Sequence, residues 1–144
     1  MYIPDITLPE RMAFSTTLAV YINDLAGGLH VGNHTLVGYL NEVQMRFITA
    51  LGFPTLLVDN AITYNNEIAV QYRREVRYGD TLAVQAHIDP LEDHQYRILF
   101  HMQNQHGKTV LVAQAGMVFV DQGTGRRCPV PAAFRQAWLA FSAQ

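Results

Sequence analysis

Between Thr35 and Leu51 the chain carries its one long stretch of helical periodicity, and strand after strand follows it. Leu36, Val37, Leu40, Val43, Phe47 and Leu51 recur at steps of three and four, which lines one face of a helix, and Gly52 and Pro54 stop it. Four strand-like runs come next, about Ala61 to Tyr72, Thr81 to Ile88, Gln95 to Gln103 and Thr109 to Asp121. A single helix with so apolar a face must be covered, and the sheet that covers it has to curl. The expected class is α+β: an antiparallel sheet of about five strands wrapped around one long central helix.

The fifth strand is Phe14 to Asn23, where Phe14, Leu18, Val20 and Ile22 fall on alternate positions. In the second run Leu82, Val84, Ala86 and Ile88 alternate with Ala83, Gln85 and His87, so one face is wetter. The third run alternates likewise, from Tyr96 to Gln103. The last run is almost continuously apolar and reads as a central strand covered on both sides. Asp93-His94 and His106-Gly107 supply hairpin connections, and Ala132 to Ala143 forms a short helix after Pro131, with Phe134, Trp138 and Phe141 on one side. No repeat or linker divides the chain, so residues 1–144 are read as a single domain. Long strand edges call for cover, which a second copy of the chain would supply as a dimer or tetramer.

With 49% apolar residues the chain can build its core without a disulfide, and the single Cys128 has no partner. Met1 to Asp5 lacks the basic start and apolar stretch of a signal peptide, so a cytoplasmic setting is expected. No apolar run reaches the ~20 residues of a membrane span. A formal charge of −2 offers no footprint for nucleic acid.

The irregular segment Asp24-Leu-Ala-Gly-Gly-Leu-His-Val-Gly-Asn-His34, immediately before the helix, is too rich in glycine for a regular element. Together with the helix, as "DLAGGLHVGNHTLVGYLNEVQMRFITALGF", it resembles the glycine-rich loop and central helix of the 4-hydroxybenzoyl-CoA thioesterase-like branch of the hotdog superfamily. It is closer still to a thioesterase subfamily with an Asp-x-Asn-Tyr-Gly-x-His-Leu-Gly-Asn-Asp run, in which Asp24, Gly28, His30, Gly32 and Asn33 find matching positions. "YRREVRYGDTLAVQ" is similar to the family's strand-turn-strand piece and "AQAGMVFVDQGTGRRCPVP" to its final strand and tail, so the resemblance runs from about Phe14 to Phe134. Ala26 stands where many relatives carry the catalytic carboxylate, and His34 where the closer subfamily has one.

The resemblance implies hydrolysis of an acyl-CoA or other acyl thioester, with no cofactor beyond the coenzyme A of the substrate. Such chemistry needs donors for an oxyanion and a group that attacks the carbonyl carbon or activates water. The first-turn N–H groups of the helix headed by Thr35 would serve as the donors. Asp24 is then base, nucleophile or the orienter of His30, against a loop-stabilising role. His30 would hold water or a carbonyl, against a structural bond to backbone. Asn33 caps the helix or donates to the thioester oxygen, and His34 is a substitute base or an exposed loop residue. Glu42 corresponds to the helix carboxylate of another hotdog branch, yet it stands one turn before Arg46, as an ordinary ion pair would.

Arg73, Arg74 and Arg77, with Arg126 and Arg127 in the tail, would meet coenzyme A phosphates or else form a solvated edge. Tyr72, with Tyr64 and Phe53, would line an acyl tunnel or belong to the core. The histidines show no zinc spacing, and there is no Gly-x-Ser-x-Gly elbow. The alternative is a non-catalytic acyl-CoA-binding protein, which Ala26 and His34 would suit. A hydratase of the same fold would carry Asp-x-Asn-Pro-x-His, a pattern this chain lacks.

Overall fold

The computed structural model describes residues 4–144, so the start read at Met1 to Asp5 lies partly outside the described residues. Strand β1 is Phe14–Ala19, shorter than the alternation implied. A 3-10 turn at Ile22–Asp24 ends it, held by the Asp24 carboxylate, which accepts the Tyr21 N–H at 3.0 Å. The glycine-rich loop is more ordered than its composition suggested. It contains a minimal hairpin, β2 (Leu25–Ala26) against β3 (His30–Val31), with Gly28 at φ 75° in the turn.

Helix α1 spans Asn33–Ala50, beginning two residues before Thr35 because the Gly32 carbonyl accepts the N–H groups of Thr35 and Leu36 at 3.0 and 3.1 Å. There follow β4 (Leu57–Val58), β5 (Ala61–Tyr72), β6 (Thr81–Leu91), β7 (Gln95–Gln103), β8 (Thr109–Asp121), β9 (Arg127–Cys128) and α2 (Ala132–Ser142). Strands β5, β7 and β8 have the bounds that the side-chain pattern implied. Strand β6 outruns Ile88, continuing to Leu91 across a bulge.

Apart from the β2–β3 hairpin, the strands form one antiparallel sheet in the order β1-β6-β7-β8-β5-β4, with the short β9 beside β8. Five strands are long and two are short, and the sheet curls around α1 in the hotdog arrangement. Leu82 and Val84 of β6, Ile98 and Phe100 of β7 and Leu111 and Ala113 of β8 point inward, against Leu36, Leu40, Val43 and Phe47 of α1. Helix α2 closes one end with Phe134 and Trp138, both buried.

Two consequences bear on the site. Strand β5 pairs with β8 along its length, but its other edge meets β4 only at Ala61 and Ile62, so most of that edge is open among the described residues. The inner-face side chains Ile68 and Tyr72 near this edge are 39% and 41% exposed. None of the described helices is long and apolar enough to cross a membrane.

Candidate functional site

The start of α1 is uncapped by any side chain. Its N-cap is Gly32, and Asn33 is the first helical residue, so the capping role open to Asn33 is not the one it takes. Because Thr35 and Leu36 both turn to the Gly32 carbonyl, the N–H groups of Asn33 and His34 have no protein acceptor among the described residues. They lie at the positive end of an 18-residue helix dipole. Gly32 is needed here for closeness: a Cβ on it would lie 2.9 Å from the His34 ring and 3.1 Å from Ala26. His34 therefore folds back over the helix start, and β2 lies against it.

An open groove of about 300 Å³ runs from this point along the C-terminal end of β5. Buried Val31, Leu36 and Val76 form its apolar floor, and His30, Asn33, Tyr72, Arg73, Arg74 and Glu75 its polar wall. The Tyr72 hydroxyl donates to the Asn33 carbonyl at 3.3 Å, tying strand end to helix start. His30 is exposed at the hairpin; its backbone pairs with Arg77, and its ring lies 3.5 Å from where a Gly28 Cβ would be. Five residues singled out from the sequence thus share one groove: His30, Asn33, Tyr72, Arg73 and Arg74.

Asp24 does not line this groove. Its Oδ2 accepts both the Tyr21 N–H at 3.0 Å and the Tyr39 hydroxyl at 2.7 Å, while Oδ1 has no protein partner among the described residues. Burial, then the hydrogen bond and negative charge of Asp24, push the Tyr39 phenol well above its ordinary pKa, so it stays a donor at any ordinary pH. The carboxylate is thereby fixed in direction with one oxygen spare.

Glu42 lies elsewhere. Nine residues past Asn33 it is about 14 Å along the helix axis, and its Oε2 accepts from Arg46 Nε at 2.8 Å with both side chains well exposed. Arg46 also donates to the Thr16 hydroxyl and the Thr17 carbonyl, which makes the pair a tie between α1 and β1. An exposed pair of this kind is worth about 0–1 kcal/mol. Glu42→Gln is accordingly expected to unfold within about 1 kcal/mol of the parent in urea.

Arg77 does not line the groove. Its guanidinium pairs with Glu75 at 3.2 Å, and its backbone N–H is accepted by Asp80 at 2.9 Å. Tyr64 is on the outer face of β5, and Phe53 packs against Phe134. Three participants had escaped attention. Glu75 shares the wall with His30, Tyr39 holds Asp24, and Lys108 approaches Arg73 and Arg74 from β8's side of the sheet. Only Glu75 had a local signal, as the acidic residue beside Val76, the one buried position in a run of charges. The other two depend on long-range approach. Among the described residues no three ligand-type side chains come together to hold a metal.

Comparison with known proteins gives a family match over residues 20–138, described as the thioesterase-like superfamily. No curated protein matches the sequence. Among solved structures, a Staphylococcus aureus protein in complex with CoA is similar over 96% of this chain and 89% of its own, at 16% identity and a TM-score of 0.84. A Thermus thermophilus thioesterase complexed with coenzyme A and Zn covers 94% and 98%, at 20% and 0.81. A 1,4-dihydroxy-2-naphthoyl-CoA thioesterase from Synechocystis covers 88% and 95%, at 15% and 0.78. At these identities the likeness is one of fold.

Proposed function

Because the chain belongs to the thioesterase-like superfamily, matched over residues 20–138, we propose that it hydrolyses an acyl-CoA thioester to the free acid and the thiol. The observation that carries the reading is a pair of unused N–H groups at the start of α1 beside a groove with an apolar floor, with the Asp24 carboxylate held in a fixed direction by Tyr21 and Tyr39. The N–H groups of Asn33 and His34 polarise the thioester carbonyl and hold the oxyanion, an effect worth on the order of 3 kcal/mol for one good donor. Asp24 Oδ1 takes a proton from water as the water oxygen bonds to the carbonyl carbon. Collapse of the tetrahedral intermediate breaks the carbon–sulfur bond, and that proton goes to the leaving thiolate. His30 and Asn33 orient the water and the thioester. No cofactor is needed beyond the carrier that the substrate brings.

Self-association completes the site. The open edge of β5 and the exposed Ile68 and Tyr72 next to it are closed by a second copy, whose surface covers the groove. Sedimentation at micromolar concentration is expected to show a dimer or larger; an active monomer would remove the shared-site arrangement.

The direct test is release of free thiol from short, long and aromatic acyl-CoAs. Turnover far above the spontaneous rate is expected for at least one class. Binding without release across the whole panel would favour the second reading, an acyl-CoA-binding protein. The observation on its side is that Asp24 already serves Tyr21 and Tyr39, while Ala26 and His34 stand at positions of lost carboxylates.

A further inference from the structure

Residues 4–13 belong to no helix or strand, yet they lie across the outer face of the sheet as a strap. Pro4 to Thr7 share an open cleft with Asp89 of β6, Leu99 of β7 and Gln114 of β8, and Leu8 shares another with His101 of β7 and Val112 of β8. Leu99 and Val112 belong to the face turned away from α1 and are nevertheless only 4% and 7% exposed. The strap lies over both.

Two backbone N–H groups of the strap find protein acceptors among the described residues, and both acceptors are side chains of the sheet. The Ile6 N–H donates to Gln71 Oε1 at 3.0 Å while Gln71 Nε2 donates to the Pro4 carbonyl at 3.2 Å, so one amide of β5 holds the far end. The Ala13 N–H donates to His87 Nδ1 of β6 at 3.0 Å, at the hinge where the strap enters β1. Arg11 donates to the carbonyls of Ser142 and Gln144, and Asp5 meets Arg73 at 3.9 Å. His101, the other histidine of this face, bonds Gln85 and Thr109 instead of the strap.

A ring nitrogen accepts only while it carries no proton, and an imidazolium would turn a second N–H toward that of Ala13. Trp138 of α2 packs on the same ring, with centroids 4.8 Å apart, and keeps it in place. We infer that His87 is a pH-sensitive clasp: unprotonated, it holds Ala13 and the strap over the sheet, and protonation releases them. The charged groups near the ring are Asp89, two residues on along β6, and Arg11 of the strap. On α2, Arg135 turns to the Glu92 carbonyl at 2.8 Å, and β7 presents Leu99 opposite. Burial foremost, opposed by Asp89 and aided by Arg11, holds the His87 pKa below the usual imidazole value. The open form therefore takes the proton more readily than the clasped one, so the clasp is complete above about pH 6.5 and weakens as the pH falls below it. Opening uncovers Leu99 and Val112. It also withdraws Asp5 from Arg73, a wall residue of the groove at the start of α1, so acidification reaches the candidate site.

Amide hydrogen exchange of the full chain, corrected for the intrinsic dependence of exchange on pH, tests this residue by residue. Protection of the Ala13 amide is expected to fall about tenfold from about pH 7.5 to about pH 5.5, the factor by which protonation of a free imidazole favours the open form. The amides of β7 should keep theirs. His87→Asn puts an oxygen acceptor close to the place of Nδ1 without a group that titrates, so the pH dependence should vanish. His101→Asn should keep the parental dependence. Protection of Ala13 independent of pH in the parent, an unchanged dependence in His87→Asn, its loss in His101→Asn, or β7 amides falling in step with Ala13 would each overturn the inference. None of these outcomes requires thioester hydrolysis, so the clasp and the thioesterase reading fail separately.

Discussion

Replacing Phe47 with alanine is expected to destabilise the fold by about 3–5 kcal/mol, the range for deleting a fully enclosed aromatic side chain. Phe47 is 0% exposed on the inner face of α1. Its ring stacks on Phe14 of β1 with centroids 5.0 Å apart, meets the edge of Trp138 at 5.8 Å, and contacts Phe141 at 6.1 Å. One side chain thus joins the central helix, the edge strand and the closing helix. Alanine there removes the transfer energy of the ring and leaves a void that three separately anchored rings cannot collapse into. The loss is a large part of the 5–15 kcal/mol typical of a whole domain. Urea unfolding measures it, with Met45→Ala on the exposed face of the same helix as the comparison. A midpoint for Phe47→Ala no lower than that of Met45→Ala would show that this helix face does not bear on the sheet.

What could be read from the sequence, and what could not, divides along range of interaction. The stripe of Leu36, Leu40, Val43 and Phe47 is a local repeat imposed by helix geometry, and all four are buried. The near-continuous apolar run of β8 is buried along its inner face, where Leu111, Ala113, Ala115, Met117 and Phe119 join the core, but Gln114, Gly116 and Val120 on the outer face are only half-buried, so the cover expected on both sides is complete on one. The ion pair of Glu42 with Arg46 also follows from spacing along one helix. The site is different. The hydrogen bond of Asp24 to Tyr39 spans 15 residues, and the approach of Tyr72 to Asn33 spans 39. Neither separation leaves a mark in local periodicity. Glycines 27 and 28 argued against regular structure, yet a turn with positive φ is what lets Ala26 pair with His30 in the two-residue hairpin. Asn33 is a good capping residue by type, but the close approach of Ala26 and His34 gives the cap position to Gly32. The family resemblance supplied the candidates, and the folded chain decided which of them share a groove.

The central claim is that Asp24 and the start of α1 together cleave a thioester, and Asp24→Asn tests it most directly. Asparagine keeps the size of the side chain and an oxygen able to accept from Tyr39 and from the Tyr21 N–H, so the turn before β2 should hold. It removes the negative charge and the basicity that water activation requires. Turnover of the best acyl-CoA substrate is therefore expected to fall about a hundredfold or more, a loss of about 3 kcal/mol of transition-state stabilisation, while substrate binding changes little. A structural carboxylate would behave otherwise, with stability and binding lost together and turnover falling only in step with them. The decisive measurement is kcat for acyl-CoA hydrolysis by the parent and by Asp24→Asn, taken alongside calorimetric affinity for the same carrier. A kcat reduced at least about a hundredfold at unchanged affinity is the predicted result, and parental kcat in the variant would contradict the account.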